Sequence, residues 1–258
     1  MISKIYKNLI LRNYDRGDLI YKQGEIPANL IFLINGLLIG EVQSKLKKNN
    51  QKAILFTPNK WCGEEYLFEK FPLTLNLVAE VECETVQIPF SVVRELISLE
   101  PSLQSYFLYS IATQSARRNY ITLRRLYSNS IGKIFYTLLF LIEVCVNKPR
   151  STAKSIDYHS DTLALNISQD CLARISAAGR TNTSNLLKYL EELGLLRTGY
   201  NLIEFFNLSA WLNCAFREAN SRYWENNLNY EEVAQKLSYK PCEYESSKIS
   251  INSRVLEY

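Results

Sequence analysis

The side chains best suited to specific chemistry lie close together in the second half of this chain. They offer one guanidinium, two amides and two hydroxyls: Arg180, Thr181, Asn182, Ser184 and Asn185. Donors and acceptors of these types form hydrogen bonds with base edges in the major groove of DNA. Four nearby polar or basic residues are also predicted to contact DNA, among them an arginine that can contact the phosphate backbone: Ser168, Gln169, Lys188 and Arg197. These nine residues are the predicted DNA-binding set.

Two helices joined by a tight turn are predicted to present this set, within residues 167–196. Ser168 is the predicted N-cap of the first helix, because its hydroxyl can accept a bond from a free backbone N–H. Leu172 and Ile175 supply the apolar face of that helix. Small residues are predicted to form the turn: Ala177, Ala178 and Gly179. Leucines at helical spacing are predicted to point inward from the second helix, with a glycine cap after it: Leu186, Leu187, Leu190, Leu193 and Gly194.

A small hairpin follows the second helix. Residues 195–197 and 202–206 have the pattern of strands, and residues 198–201 have that of a turn. Two helices and such a hairpin form a winged helix-turn-helix, in which Arg197 can contact the DNA backbone. The alternative for the two helices alone is an ordinary helical hairpin.

Composition is that of a globular protein: of 258 residues, 47% are apolar and 22% charged, with a net charge of +4. The longest apolar run, residues 136–146, is too short for a membrane span. Residues 101–142 contain no acidic residue, so their basic side chains are expected either to meet phosphates or to form a solvated helix face. These residues are Arg117, Arg118, Arg124, Arg125 and Lys133.

Catalytic and metal-binding patterns are weak. The six cysteines include no Cys-x-x-Cys pair, and the single histidine, His159, has no clustered partner, so we expect no metal, no cofactor and no enzyme activity. Scattered cysteines and no signal peptide at the start of this sequence predict a cytoplasmic location. The cysteines are Cys62, Cys83, Cys145, Cys171, Cys214 and Cys242.

The first hundred residues are predicted to form an antiparallel β-roll. Short apolar segments alternate with glycines and polar turns, as expected of a closed roll or barrel. The predicted strands cover residues 18–21, 30–34, 37–42, 53–56, 75–78 and 85–88, and residues 45–52 a polar hairpin loop. Four glycines are placed at turns or bulges: Gly17, Gly24, Gly36 and Gly63.

Several of these segments resemble, in order, the cAMP receptor protein/FNR (Crp/Fnr) family of bacterial transcription regulators. The resemblance rests on YDRGDLIYKQGE at 14–25, IFLING at 31–36, Gly63-Glu64 before Leu67-Phe68, Ala116-Arg117-Arg118, Gly132-Lys133-Ile134 and the winged helix-turn-helix. It spans about residues 11–208. It implies an α+β fold with a β-roll (cyclic-nucleotide-binding-like) domain over 1–100, a dimerisation helix over 101–130 and a winged helix-turn-helix DNA-binding domain over 131–208. Residues 209–258 lie beyond the resemblance and are predicted to form a helical C-terminal extension.

The resemblance also implies a homodimer that pairs through a long helix. Helical spacing runs from Pro101 to about Ser128, and one small or apolar stripe on it suits a two-stranded contact. The alternative is that the stripe covers the roll of its own subunit. The stripe consists of Tyr109, Ala112, Ala116, Tyr120, Leu123 and Tyr127.

An effector pocket beside that helix is implied as well, at Gly63, Glu64, Leu73, Thr74 and Thr122. Cyclic-nucleotide-binding relatives grip the cyclic phosphate with an Arg-Ser pair, where this chain has Leu73-Thr74. A phosphate facing leucine lacks its counter-charge, so we expect no cAMP binding, and the effector is unknown or absent. Cys62, near this pocket, is expected to be a buried apolar residue rather than a redox-active thiol.

Recognition of DNA is also expected to differ from that of the family's prototype. Arg180 matches an arginine that can bind guanine, whereas Thr181 and Asn185 stand in place of an acid and a second arginine; they suit a thymine methyl and adenine. Half-sites about one helical turn apart are expected.

The C-terminal extension is unexpected for this family. Residues 210–239 are predicted to form two amphipathic helices and residues 240–258 a tail. The extension either packs on the DNA-binding domain or contacts RNA polymerase, another partner or the second subunit. The apolar residues of the two helices are Trp211, Phe216, Trp224, Leu228, Val233 and Leu237.

The sequence therefore predicts a homodimeric, sequence-specific regulator of transcription that binds double-stranded DNA at a two-fold-related site. A regulatory protein–protein interaction module with the same fold is the alternative. No membrane partner is expected.

Overall fold

Two antiparallel four-stranded sheets make up the N-terminal roll. In the computed structural model, which describes residues 7–42, 51–146, 156–157, 161–221, 225 and 227–238, the sheets have strand orders β1-β8-β3-β6 and β2-β7-β4-β5. Their inner side chains meet in one buried cluster that includes Ile31, Leu33 and Leu77. The strands are β1 (Ile10–Tyr14), β2 (Leu19–Tyr21), β3 (Asn29–Asn35), β4 (Leu38–Val42), β5 (Gln51–Phe56), β6 (Lys60–Cys62), β7 (Asn76–Ala79) and β8 (Cys83–Pro89).

The six predicted strands are all present, and the antiparallel roll is confirmed. β1 and β6 were not predicted. Four of the five residues of β1 are exposed, and β6 has only three residues, so neither shows the alternation that marks a half-buried strand. The predicted loop at 45–52 lies mostly outside the described residues.

Gly36 is required where the β3–β4 turn approaches the start of β8. It adopts φ +100°, and a Cβ there would lie 2.5 Å from both Cys83 Sγ and the Glu82 carbonyl oxygen. Any side chain would therefore push the turn away from β8. Gly17, Gly24 and Gly63, also predicted at turns or bulges, have positive φ as well.

Three helices lead away from the roll: α1 (Phe90–Leu99), α2 (Pro101–Tyr127) and α3 (Ser130–Val146). Pro101 occupies the first turn of α2, where its missing N–H is not needed, and the Glu100 carboxylate accepts a bond from the Ser102 N–H at 3.4 Å. The long helix predicted from Pro101 is therefore confirmed.

The next part of the chain combines a four-stranded sheet of order β11-β12-β10-β9 with two short helices. Its elements are β9 (Ile156–Asp157), β10 (Thr162–Leu165), α4 (Gln169–Ile175), α5 (Arg180–Glu192), β11 (Leu196–Gly199) and β12 (Leu202–Phe205). The predicted hairpin is present, and β10 pairs with its second strand. This pairing was not predicted, because β10 is short and far from β12 in sequence.

The C-terminal extension contains the two predicted helices, α6 (Leu208–Asn220) and α7 (Tyr230–Ser238). Trp211 is fully buried and packs edge-on against Phe205 of β12, with ring centres 4.9 Å apart. Removing such a ring costs about 3–5 kcal/mol, so α6 is part of the core of this domain. Leu228, Val233 and Leu237 are also buried. Phe216, by contrast, is 63% exposed. Trp224 and residues 239–258 lie outside the described residues.

One hydrophobic cluster joins the roll to the C-terminal part of the chain. Leu37, Ile39 and Leu55, beside and within β4 and β5, are buried in the same cluster as residues of α3, α4, α5 and α6. The two parts are therefore docked on each other through apolar side chains.

Candidate nucleic-acid interface

The helix-turn-helix begins at Ser168. Its Oγ accepts a hydrogen bond from the Cys171 backbone N–H at 3.0 Å, and Asp170 lies in the positively polarised first turn. Leu172 and Ile175 are fully buried, as predicted. Ser168 and Gln169 remain half-exposed at the start of α4, where a phosphate could approach the free N–H groups.

In the turn between α4 and α5, the residue with a left-handed backbone conformation is Ala177 rather than Gly179. Ala177 has φ +53°, whereas Gly179 has φ −69° and serves as the N-cap of α5. The buried Thr183 hydroxyl donates to the Gly179 carbonyl at 3.1 Å. The small residues form the predicted turn, but the left-handed position falls on an alanine.

The outer surface of α5 carries the polar residues predicted to read DNA, and all of them are exposed: Arg180, Thr181, Asn182, Ser184, Asn185 and Lys188. Leu186, Leu187 and Leu190 are buried on the opposite side. We call Arg180, Thr181, Ser184, Asn185 and Lys188, which share one side of the helix, the recognition face. No acidic residue lies in the first turn of α5.

Leu193 does not follow the predicted pattern. It is 47% exposed, because α5 ends at Glu192 and Leu193 is the C-cap residue. Gly194, with φ +69°, then reverses the chain as predicted. The prediction of an inward Leu193 was therefore wrong.

The wing, β11 to β12, places Arg197 beside α5. Arg197 is 67% exposed on its side chain and forms an ion pair with Glu204 across the hairpin at 2.7 Å. The Thr198 backbone N–H donates to the Glu191 carboxylate at 3.0 Å, which ties the wing to the end of α5. Tyr200, at the tip, is 95% exposed.

The stripe on the long helix α2 is mostly exposed. Tyr109, Ala112, Ala116, Leu123 and Tyr127 all lie on the surface of the single chain. Tyr120 is the exception, since it is half-buried and its hydroxyl donates to the Glu218 carbonyl at 3.0 Å. An uncovered apolar stripe of this length suits a partner helix.

The four arginines of α2 differ in burial, with Arg117 and Arg118 partly exposed. Arg124 and Arg125 are buried, and desolvation lowers the pKa of Arg125 to about 10. Arg117 pairs with Glu143 at 2.8 Å, and Arg118 lies 3.9 Å from Glu65. From the sequence alone, these basic side chains are expected either to meet phosphates or to form a solvated helix face. Both expectations were wrong for Arg124 and Arg125, because parts of the chain distant in sequence pack against the helix.

The predicted effector pocket contains a buried carboxylate. Glu64 is fully buried at the start of a 3-10 helix, Glu64–Leu67, that Gly63 caps with φ +91°. The Gln114 side-chain amide of α2 donates to Glu64 Oε1, while Glu64 Oε2 has no hydrogen-bond partner. Burial, together with the negative charge of Glu65, raises the pKa of Glu64 to about 7. Gln114 was missed, because a glutamine on a helix carries no sequence signal of its own.

The other pocket residues are divided between core and surface. Leu73 is buried in an apolar cluster with Leu30, Tyr66 and Ile88. Thr74 is exposed, and Thr122 is exposed on α2 about two turns beyond Gln114.

Cys62 lies inside the roll and is 1% exposed. Burial, and secondarily the charge of Glu64, raises its pKa well above the usual value, so the reactive thiolate is disfavoured. Within the described residues, no group of three His, Cys, Asp or Glu side chains could hold a metal ion, and no helix is long and apolar enough to cross a membrane. His159 and Cys242 lie outside those residues.

A family model described as "Cyclic nucleotide-binding domain" matches residues 11–100. The chain is 26% identical over 215 residues to the cAMP-activated global transcriptional regulator Vfr of Pseudomonas aeruginosa, covering 79% of this chain and 93% of that protein. It is 24% identical over 194 residues to the cAMP-activated global transcriptional regulator CRP of Salmonella typhimurium, covering 72% and 84%.

Solved structures share the fold. FixK2 from Bradyrhizobium japonicum superposes with a TM-score of 0.63 at 14% identity, covering 80% of this chain and 96% of its own. A CRP/FNR family transcriptional regulator from Thermus thermophilus gives a TM-score of 0.58 at 18% identity, covering 80% and 98%. The α+β fold with an antiparallel roll is confirmed.

Proposed function

We propose, on the premise that this chain is a homologue of the Crp/Fnr transcriptional regulators, that it is a sequence-specific DNA-binding regulator that acts as a homodimer. Its relatives named above are regulators of transcription rather than enzymes. The roll would relay a signal, or hold a constitutive state, and the paired winged helix-turn-helix units would bind the DNA.

The observation that carries this proposal is the recognition face. Five polar or basic side chains are exposed on one side of α5, whose opposite side is fixed by buried leucines. A rigid helix with such a face fits the major groove of B-DNA. Arg180 is suited to guanine, Asn185 to adenine and Thr181 to a thymine methyl.

The uncovered stripe on α2 supports a homodimer. A second copy of the helix would cover Tyr109, Ala116 and Leu123, which the single chain leaves in water. Two copies related by a two-fold axis would present two recognition faces to half-sites about one helical turn apart.

We further propose that the roll does not bind cAMP. Leu73 stands where cyclic-nucleotide-binding relatives have the arginine that grips the phosphate, and it is 6% exposed and packs among apolar side chains. This position therefore offers no positive charge to a cyclic phosphate. A phosphate without its counter-charge in a desolvated site costs several kcal/mol. The effector, if the protein uses one, differs in chemistry.

Selection from a random duplex library, followed by anisotropy titrations in increasing salt, tests DNA binding. We expect a two-fold-related consensus, with affinity that falls steeply as salt rises because counterions are released from DNA. If no duplex binds with a salt-dependent affinity, the regulator proposal is wrong and the protein-interaction module becomes the better explanation.

Dimerisation is tested separately by sedimentation velocity. Ala116→Glu introduces a charge at the centre of the stripe and should yield monomers with reduced DNA affinity. Gln104→Glu, on the exposed surface of α2 but outside the stripe, is the matched control and should remain dimeric. A dimeric Ala116→Glu protein would place the interface elsewhere.

A further inference from the structure

The C-terminal extension is connected to the long helix by a buried polar cluster centred on Glu218 of α6. Arg124 Nη1 of α2 lies 3.1 Å from Glu218 Oε2, and Lys236 Nζ of α7 lies 2.7 Å from Glu218 Oε1. The Tyr136 hydroxyl of α3 donates to Glu218 Oε2 at 3.2 Å. One carboxylate thus contacts three other helices.

Arg124 is held in this cluster by more than its charge. Its side chain is 0% exposed, and Nη2 donates to the Glu218 carbonyl oxygen. The guanidinium also lies over the rings of Tyr120 and Tyr136, 5.1 and 4.6 Å from their centres. A guanidinium so fully removed from water requires a carboxylate partner, because its desolvation is otherwise uncompensated.

The cluster lies at the break between the dimer helix and the DNA-binding domain. α2 ends at Tyr127 and α3 begins at Ser130, so residues 128–129 join the two helices; we call this two-residue connection the hinge. Asn129 accepts from the Gly132 N–H at 2.8 Å and donates to the Leu228 carbonyl at 2.7 Å. Leu228 lies in the segment between α6 and α7, so the extension contacts the hinge itself.

We propose that Glu218 is a positioning residue: through Arg124 it fixes the angle between the dimer helix and the DNA-binding domain. A change of angle at residues 128–129 would separate α6 from α2 and break the bonds between Arg124 and Glu218. The expected consequence is that the extension sets the separation of the two recognition faces, and this consequence rests on the proposed function. The angle itself can be measured without DNA.

Single-molecule energy transfer within one subunit of the full chain tests the angle, with dyes at the exposed positions Ile26 of the roll and Tyr200 of the wing. Glu218→Gln preserves the shape but removes the charge, and is expected to broaden the distribution of transfer efficiencies. Hydrogen exchange should become about tenfold faster at the Ser128 amide, which lies in the hinge and donates to the Arg124 carbonyl, and at the Lys133 amide, which donates to the Asn129 carbonyl in the hinge. Glu225→Gln is the matched control, since Glu225 is largely exposed and bonds Lys236 at 3.1 Å outside the cluster centre; it should leave both readouts at wild-type values.

Arg124→Lys is the milder second variant, which keeps the charge and should shift both readouts in the same direction by less. The proposal is overturned if Glu218→Gln leaves both the hydrogen exchange at the hinge and the transfer efficiency unchanged. Should Glu218→Gln not fold, the same criterion applies to Arg124→Lys. The same holds if only α6 and α7 exchange faster.

On DNA, wild type should prefer one half-site spacing and Glu218→Gln should bind several spacings with more equal affinity; an unchanged preference would remove the positioning role. A wild-type protein that binds no duplex would instead contradict the proposed function, whatever the hinge measurements give.

Discussion

Arg174, in the first helix of the helix-turn-helix, forms an ion pair with Glu80, which follows β7 of the roll. Glu80 is 4% exposed, whereas the Arg174 side chain is 36% exposed and also lies 3.5 Å from Asp170. The pair lies beside the apolar contact of Leu37, Ile39 and Leu55 with the C-terminal part of the chain. The part of the chain that contains the helix-turn-helix is therefore docked on the roll by both packing and charge.

The unequal burial of this pair predicts unequal effects of removing its two members. Arg174→Met keeps the aliphatic stem but leaves the buried Glu80 carboxylate without this cation, and should cost about 1–3 kcal/mol of unfolding free energy. Glu80→Gln leaves a partly solvated arginine and should cost less. Urea unfolding of both variants measures the difference; equal losses would show that the unequal burial of the two side chains does not matter, and no loss in Arg174→Met would show that this cation does not stabilise Glu80.

Glu64 should make stability depend on pH. Burial raises its pKa from 4.5 to about 7, so the folded state holds a proton that the unfolded state releases. The stability that this proton contributes is therefore complete below the pKa of Glu64 in the unfolded state. It is lost as pH rises towards the pKa of Glu64 in the folded state. The wild type should lose up to about 3 kcal/mol relative to Glu64→Gln across this window, as measured by urea unfolding at successive pH values. The exposed Glu69→Gln variant should follow the wild type; a parallel profile for Glu64→Gln would show that Glu64 titrates normally.

Ser168 can be tested for two roles with two substitutions. Ser168→Ala removes the N-cap bond to Cys171 and should cost about 1 kcal/mol of stability. Ser168→Asp keeps a capping oxygen but repels phosphate, so it should preserve the thermal midpoint while weakening DNA binding. Undiminished DNA affinity in Ser168→Asp would exclude a phosphate near this residue.

Arg180 and Lys188 are expected to differ in what they contribute to DNA binding. Arg180→Ala should cost roughly 1–3 kcal/mol on the selected site and relax the preference at one base pair. Lys188→Ala should weaken binding to all sequences and lower the salt slope by about one. Both side chains are exposed, so stability should not change. Equal losses of Arg180→Ala on specific and random duplexes would make Arg180 a phosphate contact.

Calorimetry with cAMP tests the prediction drawn from Leu73. We expect no binding heat from the full chain, since Leu73 lies in an apolar cluster, while cAMP-activated Vfr serves as the positive control. Micromolar affinity would show that another cation of this chain neutralises the phosphate.

The helices and strands were largely predictable because their signals are local. Leu186, Leu187 and Leu190 repeat at helical spacing and are buried, Ser168 caps α4, and Pro101 begins α2. The polar residues on the other side of the helix follow from the same periodicity, so the recognition face could be predicted from sequence. The pattern failed at Leu193, where the helix ends, and at β1, whose residues are mostly exposed.

The sequence by itself determined which elements form and which face of α5 is polar, because periodicity and capping act between residues a few positions apart. Only the tertiary structure decided the partners of the buried charges. Arg124 meets Glu218, and Arg174 meets Glu80, each across 94 positions of chain. An arginine has the same local signal whether water or a distant carboxylate surrounds it, so its burial depends on how the helices pack.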